Sequence, residues 1–146
     1  MRSPVSDAQL AELADVVLRI SREIDPHGGD PLDIVPLTGT EALVMRWVDR
    51  NPGTSPSATA DATGLRRSNL SAALRSLVAK GMVERRPHPS DARTVQLLPT
   101  ELAAASIGRL HAHWVAKLRA ALGGDEDGTA EALALLERVD EGLRRD

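Results

Sequence analysis

The 146-residue chain contains no cysteine, no phenylalanine and no tyrosine, and Trp47 and Trp114 are its only tryptophans. Without cysteine there are no disulfides, no thiolate zinc sites, no cysteine nucleophile and no thiol-based peroxide sensing. Any effector is therefore expected to act without thiol chemistry. Two tryptophans cannot build the base-stacking platforms of single-strand and RNA-binding modules. Apolar runs last only a few residues, far short of the roughly 20 needed to span a membrane, and Asp7, Glu12 and Asp15 interrupt any N-terminal apolar stretch. No targeting segment and no membrane partner are expected, and the expected location is the cytoplasm.

Catalytic and metal signatures are also missing. The sequence holds no H-E-x-x-H, no glycine-rich phosphate loop and no G-x-S-x-G. Its histidines are His27, His88, His111 and His113. On a helix, His111 and His113 would sit about 200° apart and could not share one ion. No metal, no cofactor and no enzymatic activity are expected.

What is present is alanine and leucine: 41 of the 61 apolar residues. Both favour helix over strand, so a mostly helical chain is expected, at a length that fits one domain. The net charge of −3 is unevenly spread. Residues 1–53 sum to −4, residues 54–98 to +4 and residues 99–146 to −3. A basic middle between acidic flanks suits a nucleic-acid surface on an otherwise acidic protein.

Periodicity divides the chain. Leu10, Leu13, Val17, Ile20 and Ile24 form one stripe, predicting a helix from about Ser6 to Ile24 with Ser6 or Asp7 as N-cap. The run over 25–31, with two prolines and two glycines, stops it. Thr38-x-x-Glu41 has the form of a capping box, and Leu43, Val44, Trp47 and Val48 form the buried face of the second helix. A short helix over Ser57–Thr63 offers only Ala58, Ala60 and Ala62 for burial, so it needs tertiary support. Gly64-Leu65 turns into a fourth helix, Arg67–Lys80, with Leu70, Leu74 and Leu77 as its stripe and Gly81 at the left-handed C′ position. Met82–Arg85 and Thr94–Leu97 are strand-like around a turn at Pro87–Asp91, predicting a hairpin. A long helix follows to Leu122, with Pro99 at N1 or Thr100 as cap, and a last helix runs from Thr129 to Leu143.

Short helix, glycine turn, second helix and basic hairpin compose a winged helix-turn-helix. An α-helix fits the major groove of B-DNA and can offer donors and acceptors to base edges. With Leu70 at zero and 100° per residue, Ser68, Ser71 and Arg75 fall at about 160°, 100° and 140°, and Asn69 at about 260°. That face carries no carboxylate to repel phosphate. Arg66 and Arg67 precede it, and Arg85, Arg86 and Arg93 surround the hairpin loop. These nine residues are the candidate DNA contacts. Asp91, two residues from Arg93, is expected to share a strand face with it and to orient Arg93 or Arg85. Trp47, Trp114 and His111 are candidates for core or dimer packing, or for the lining of a ligand cavity.

Asp91-Ala92-Arg93 followed by Leu97-Leu98-Pro99-Thr100 resembles the wing pattern D-x-R-x-x-x-x-x-L-T of the MarR-type (multiple antibiotic resistance regulator) transcription factors. Leu77-x-x-Lys80-Gly81-Met82-Val83-x-Arg85-Arg86, Leu37-Thr38-x-x-Glu41 and Asn51-Pro52-Gly53 are similar to that family's preceding elements. Pro99 and Thr59 stand where the family usually has Leu. The resemblance implies one domain of that type over 1–146: a mainly α fold with a small β-hairpin, in which a winged helix-turn-helix over 36–99 is flanked by dimerisation helices at 1–35 and 100–146. It further implies a homodimer that binds double-stranded operator DNA and, in many such proteins, a small-molecule effector. The alternative is a helical dimer that uses its winged helix for protein contacts alone.

Overall fold

The structure, a computed structural model, describes residues 2–25 and 32–145. The elements are α1 (Asp7–Ile24), α2 (Gly39–Arg50), α3 (Pro56–Thr63), α4 (Arg67–Ala79), β1 (Val83–Pro87), β2 (Val95–Pro99), α5 (Glu101–Leu122) and α6 (Thr129–Leu143). Of the helix-breaking run predicted over 25–31, residues 26–31, His27 among them, lie outside the described residues.

Short-range hydrogen bonds set the helix starts. Ser6 Oγ accepts from the Gln9 N–H and the Gln9 side chain returns to the Ser6 N–H, so Ser6 rather than Asp7 caps α1. Thr38 and Glu41 make the same reciprocal pair at α2. Ser55 caps α3 with Pro56 at its first position, one residue ahead of the predicted start. Thr100 caps α5, accepting from the Ala103 N–H. Pro99 is thus not the first helical residue; it closes β2 opposite Val83.

The core lies between α2, α4 and the hairpin. Val44, Met45 and Val48 pack with Leu70, Ala73, Leu74 and Leu77, and Met82, Val83, Leu97 and Ala103 complete the cluster. Two expectations change here. Met45 is buried whereas Leu43 and Trp47 are only half-buried, because the α2 stripe is centred nearer Met45. On α3 the fully buried residue is Thr59, not an alanine; Ala58 is exposed and Ala60 and Ala62 are half-buried. Thr59 Oγ1 donates to the Ser55 carbonyl at 2.7 Å, which satisfies the hydroxyl within the helix and lets the residue sit in the core.

The passage from α4 to β1 is fixed by backbone geometry. Gly81 has φ +75°, its N–H donates to the Val78 carbonyl, and the Met82 N–H donates to the Leu77 carbonyl. This is the paired-bond ending that a left-handed residue permits. It engages Met82, so β1 begins at Val83, one residue later than predicted, and the strands extend to Pro87 and Pro99. Both prolines sit at strand ends, where a missing N–H is tolerated. Leu97 faces Arg85 in the antiparallel pair and is bridged on its other side by Thr54, with 2.8 Å bonds from Gly53 N–H to Leu97 O and from Leu97 N–H to Thr54 O.

Among the described residues, Glu41 is the buried charged side chain. Its Oε2 accepts from Lys80 Nζ at 2.7 Å and Ser76 Oγ at 3.1 Å, and its Oε1 from the Thr38 N–H. Burial pushes this carboxyl up, but the bonds from Lys80, Thr38 and Ser76 outweigh burial and hold it below its ordinary value.

The helical arms have little to bury. Nothing on α1 or α6 is buried, and Leu18, Leu133 and Leu143 are 70%, 56% and 74% exposed. α1 is held to α5 at its end, where Trp114 Nε1 donates to the Ile24 carbonyl and Lys117 Nζ to the Glu23 carbonyl. The chain exposes 10835 Å², whereas a compact monomer of its mass, 15.6 kDa, exposes about 7,300 Å².

Two outcomes follow. Gly81→Ala should lower unfolding stability by about 1–2 kcal/mol in urea titration, since alanine is strained at that φ while the space around it is adequate. Glu41→Gln should be less stable than the parent at pH 7. A carboxyl held low in the fold contributes stability above its unfolded pKa and loses it as pH falls through the folded value. The gap should therefore close as the titration is repeated below about pH 4.

Candidate nucleic-acid interface

α4 presents two contrasting faces. Leu70, Ala73, Leu74 and Leu77 are buried against α2, while Ser68, Asn69, Ser71 and Arg75 are exposed together with Arg66 and Arg67 at the helix start. No acidic residue lies anywhere in α4. The start of α4 differs from those of α1, α2, α3 and α5: its N-cap is Arg66 and no side chain bonds the first turn. A helix N-terminus left open in this way offers its N–H groups and positive dipole end to an anion.

The wing extends from the base of α4. Arg85 is exposed on β1, and Arg86 is held on the same strand by Glu84 through two bonds, Nε to Oε1 at 3.0 Å and Nη2 to Oε2 at 3.1 Å. Alternate residues of a strand share a face, which brings the pair together. The hydrogen bonds that Arg86 donates to Glu84, and the charge of that carboxylate, raise the Arg86 pKa further. This pairing was missed in the sequence, although the i, i+2 spacing carried the signal.

Arg93 lies at the tip, its side chain 97% exposed and its Nε 3.9 Å from Asp91 Oδ1. The expectation that Asp91 and Arg93 share a strand face fails, because both lie in the turn between the strands. Asp91 also organises the backbone. Its Oδ1 accepts from the Arg93 N–H at 3.0 Å and its carbonyl from the Thr94 N–H at 3.1 Å, and the same Oδ1 forms a long ion pair with Arg93 Nε at 3.9 Å. Such a side-chain cap on a turn is the ordinary use of aspartate in a loop. His88 adds a second brace: its Nδ1 accepts from the Ser90 N–H at 3.1 Å and its own N–H donates to Thr94 O.

The three residues grouped as a possible ligand lining divide between the two halves. Trp47 Nε1 donates to Thr54 Oγ1 at the base of the wing, whereas Trp114 bonds the end of α1 and stacks obliquely with His111, ring centres 5.5 Å apart. Among the described residues no three His, Asp or Glu side chains are grouped to hold a metal. No described helix is long and apolar enough to cross a membrane.

A two-strand wing beside an exposed, carboxylate-free helix, all carried on long helical arms, defines a winged helix-turn-helix protein. Residues 35–94 match the MarR family model. The fold extends over nearly the whole chain. Rv1404 from Mycobacterium tuberculosis is 15% identical with a TM-score of 0.76, covering 97% of each chain. A mutant MarR from E. coli is 24% identical with a TM-score of 0.65, covering 94% of this chain and 98% of that one. The PcaV transcriptional regulator from Streptomyces coelicolor, solved in complex with its natural ligand, is 18% identical with a TM-score of 0.60, covering 97% and 99%. No curated protein matches the chain.

Asp91→Ala should speed amide hydrogen exchange at Arg93 and Thr94, and Asp91→Asn, which keeps the acceptor oxygen, should leave it near the parent rate. Equal protection in all three would remove the turn-capping role.

Proposed function

We propose that this protein is a sequence-specific, DNA-binding transcription regulator that acts as a two-fold homodimer on a pseudo-palindromic operator. The observation that carries the reading is the exposed α4 face of Ser68, Asn69, Ser71 and Arg75, free of carboxylates and flanked by the exposed wing arginines. Hydrogen-bonding side chains on such a helix suit base edges in the major groove. The open first turn of α4, with Arg66 and Arg67, suits a phosphate. Arg93 at the wing tip suits the minor groove, where a narrow width deepens the negative potential.

The dimer is supported by the roughly 3,500 Å² of exposure beyond that of a compact monomer, together with the apolar stripes of α1, α5 and α6. Pairing those stripes would remove apolar surface that a monomer leaves in water. Recognition helices about 34 Å apart would then meet successive major grooves. We extend the reading to repression of the controlled genes, released by a small molecule; the S. coelicolor regulator solved with its natural ligand supports the ligand part alone.

Light scattering should give twice the chain mass at micromolar concentration; a monomer that stays monomeric with DNA present would overturn the dimer. A duplex selected from a random library supplies the DNA test. Arg75→Ala should cost about 1–3 kcal/mol and relax one position per half-site. Arg93→Ala should weaken selected and unrelated duplexes together and lower the salt slope. Arg86→Ala should change that slope less than Arg93→Ala, because Glu84 already occupies its guanidinium. A protein that selects no duplex at 50 mM salt would overturn DNA binding and leave the arms and wing as protein-contact surfaces.

A further inference from the structure

We propose that Glu41 and Lys80 form a clamp that sets the rotation of α4 for base reading, making both positioning residues for operator binding although neither touches DNA. The inference rests on the DNA-binding reading above and adds to it the device that aims the helix.

The apolar contacts that seat α4 on α2 are non-directional, so they fix its depth better than its rotation. Rotation matters for recognition. A turn of about 20° moves a point on a helix surface, 5–6 Å from the axis, by about 2 Å. That displacement is enough to break a base contact whose working range spans about half an ångström. The polar bonds that oppose such a turn are concentrated near the C-terminal end of α4. Ser76, the neighbour of Arg75, donates to Glu41 Oε2 at 3.1 Å, and Lys80 donates to the same oxygen at 2.7 Å. Lys80 also donates to the Pro36 carbonyl at 2.9 Å.

The other end of the clamp is anchored outside α4. Glu41 Oε1 holds the Thr38 N–H at the start of α2. The segment leading into α2 is held to α5, where the Val35 N–H donates to the buried Ser106 Oγ at 3.0 Å. Two bonds from α4 and one from the start of α2 therefore converge on one carboxylate, and the connecting segment is bonded both to Lys80 and to the helical arm. The recognition helix is referenced to the arm by directional bonds as well as by packing.

A purely structural ion pair makes a different forecast. Buried pairs are often replaceable by apolar side chains with little loss of stability, and such a role alone would leave affinity unchanged in the folded variants. The test uses the full chain, the duplex that the parent selects and an unrelated duplex of equal length. It compares Glu41→Gln, Lys80→Met, the double variant and Ser76→Ala at a temperature where circular dichroism shows each folded.

The expected result is that Glu41→Gln and Lys80→Met each weaken the selected duplex about tenfold, the effect of one lost base contact. Binding to the unrelated duplex and the salt slope should stay at parent values, and the double variant should lose no more than the worse single. Ser76→Ala, which keeps the ion pair and so guards against a variant that fails to fold, should lose a smaller factor with the same selectivity. Parent-like affinity for the selected duplex in all folded variants would overturn the clamp. A salt slope reduced by one phosphate contact in Lys80→Met would overturn it equally, since Lys80 would then bind DNA itself. A parent protein that selects no duplex would instead overturn the DNA-binding reading, which separates the two failures.

Discussion

The winged lobe is assembled on Leu97. Its side chain is fully buried among residues from α2, α4 and β1, it stands opposite Arg85 of β1, and its backbone N–H and carbonyl are bonded to Thr54 and Gly53. A single residue thereby joins three separate stretches: the turn after α2, the strand leaving α4 and the strand leading to α5. The wing is not an appendage, because its second strand is also the floor of the core. The paired strands connect the tip at Arg93 directly to the packing of α4. Truncating such a side chain leaves a cavity where these stretches meet, which is why a buried leucine at a junction costs more than its area alone.

From that junction outward the chain changes character. The lobe is closed by caps, a two-bond helix ending and an apolar cluster, whereas the arms carry most of their leucines and valines toward water. The two regions are joined by Ala103 and Ile107 of α5 packed on the core and by a few polar bonds. Thr100 donates to the Gly81 carbonyl and caps α5 in the same act, tying the end of one helix to the start of another. Ser106 Oγ accepts from the Val35 N–H, which ties the segment before α2 to α5. Local order is therefore complete in the lobe, while the arms present surface that only another surface would cover.

Much of this was legible in the sequence because its causes are local. Thr38 with Glu41, Gly64, Gly81 and the Leu70–Leu74–Leu77 stripe each depend on residues within one or two helical turns, and the order of elements followed from them. Thr59 was not legible, since a hydroxyl that satisfies itself on the preceding carbonyl hides its own polarity. Asp91 was assigned a strand that the tight turn does not contain. The bonds from Glu41 to Ser76 and Lys80 span 35 and 39 residues, so the capping pattern gave Glu41 one partner and concealed the others. His111 and Trp114, three residues apart on α5, do meet, but nothing local placed Trp47 away from them at the foot of the wing.

The scarcity of aromatic side chains gives the molecule an unusual optical property. Trp47 is hydrogen-bonded to Thr54 at the foot of the wing, and Trp114 to the last turn of α1 against His111. With no tyrosine to blur the signal, ultraviolet emission comes from one indole in each half of the protein. Replacing either tryptophan would leave a single-colour reporter of the other half, so lobe and arm can be watched separately in the unlabelled chain.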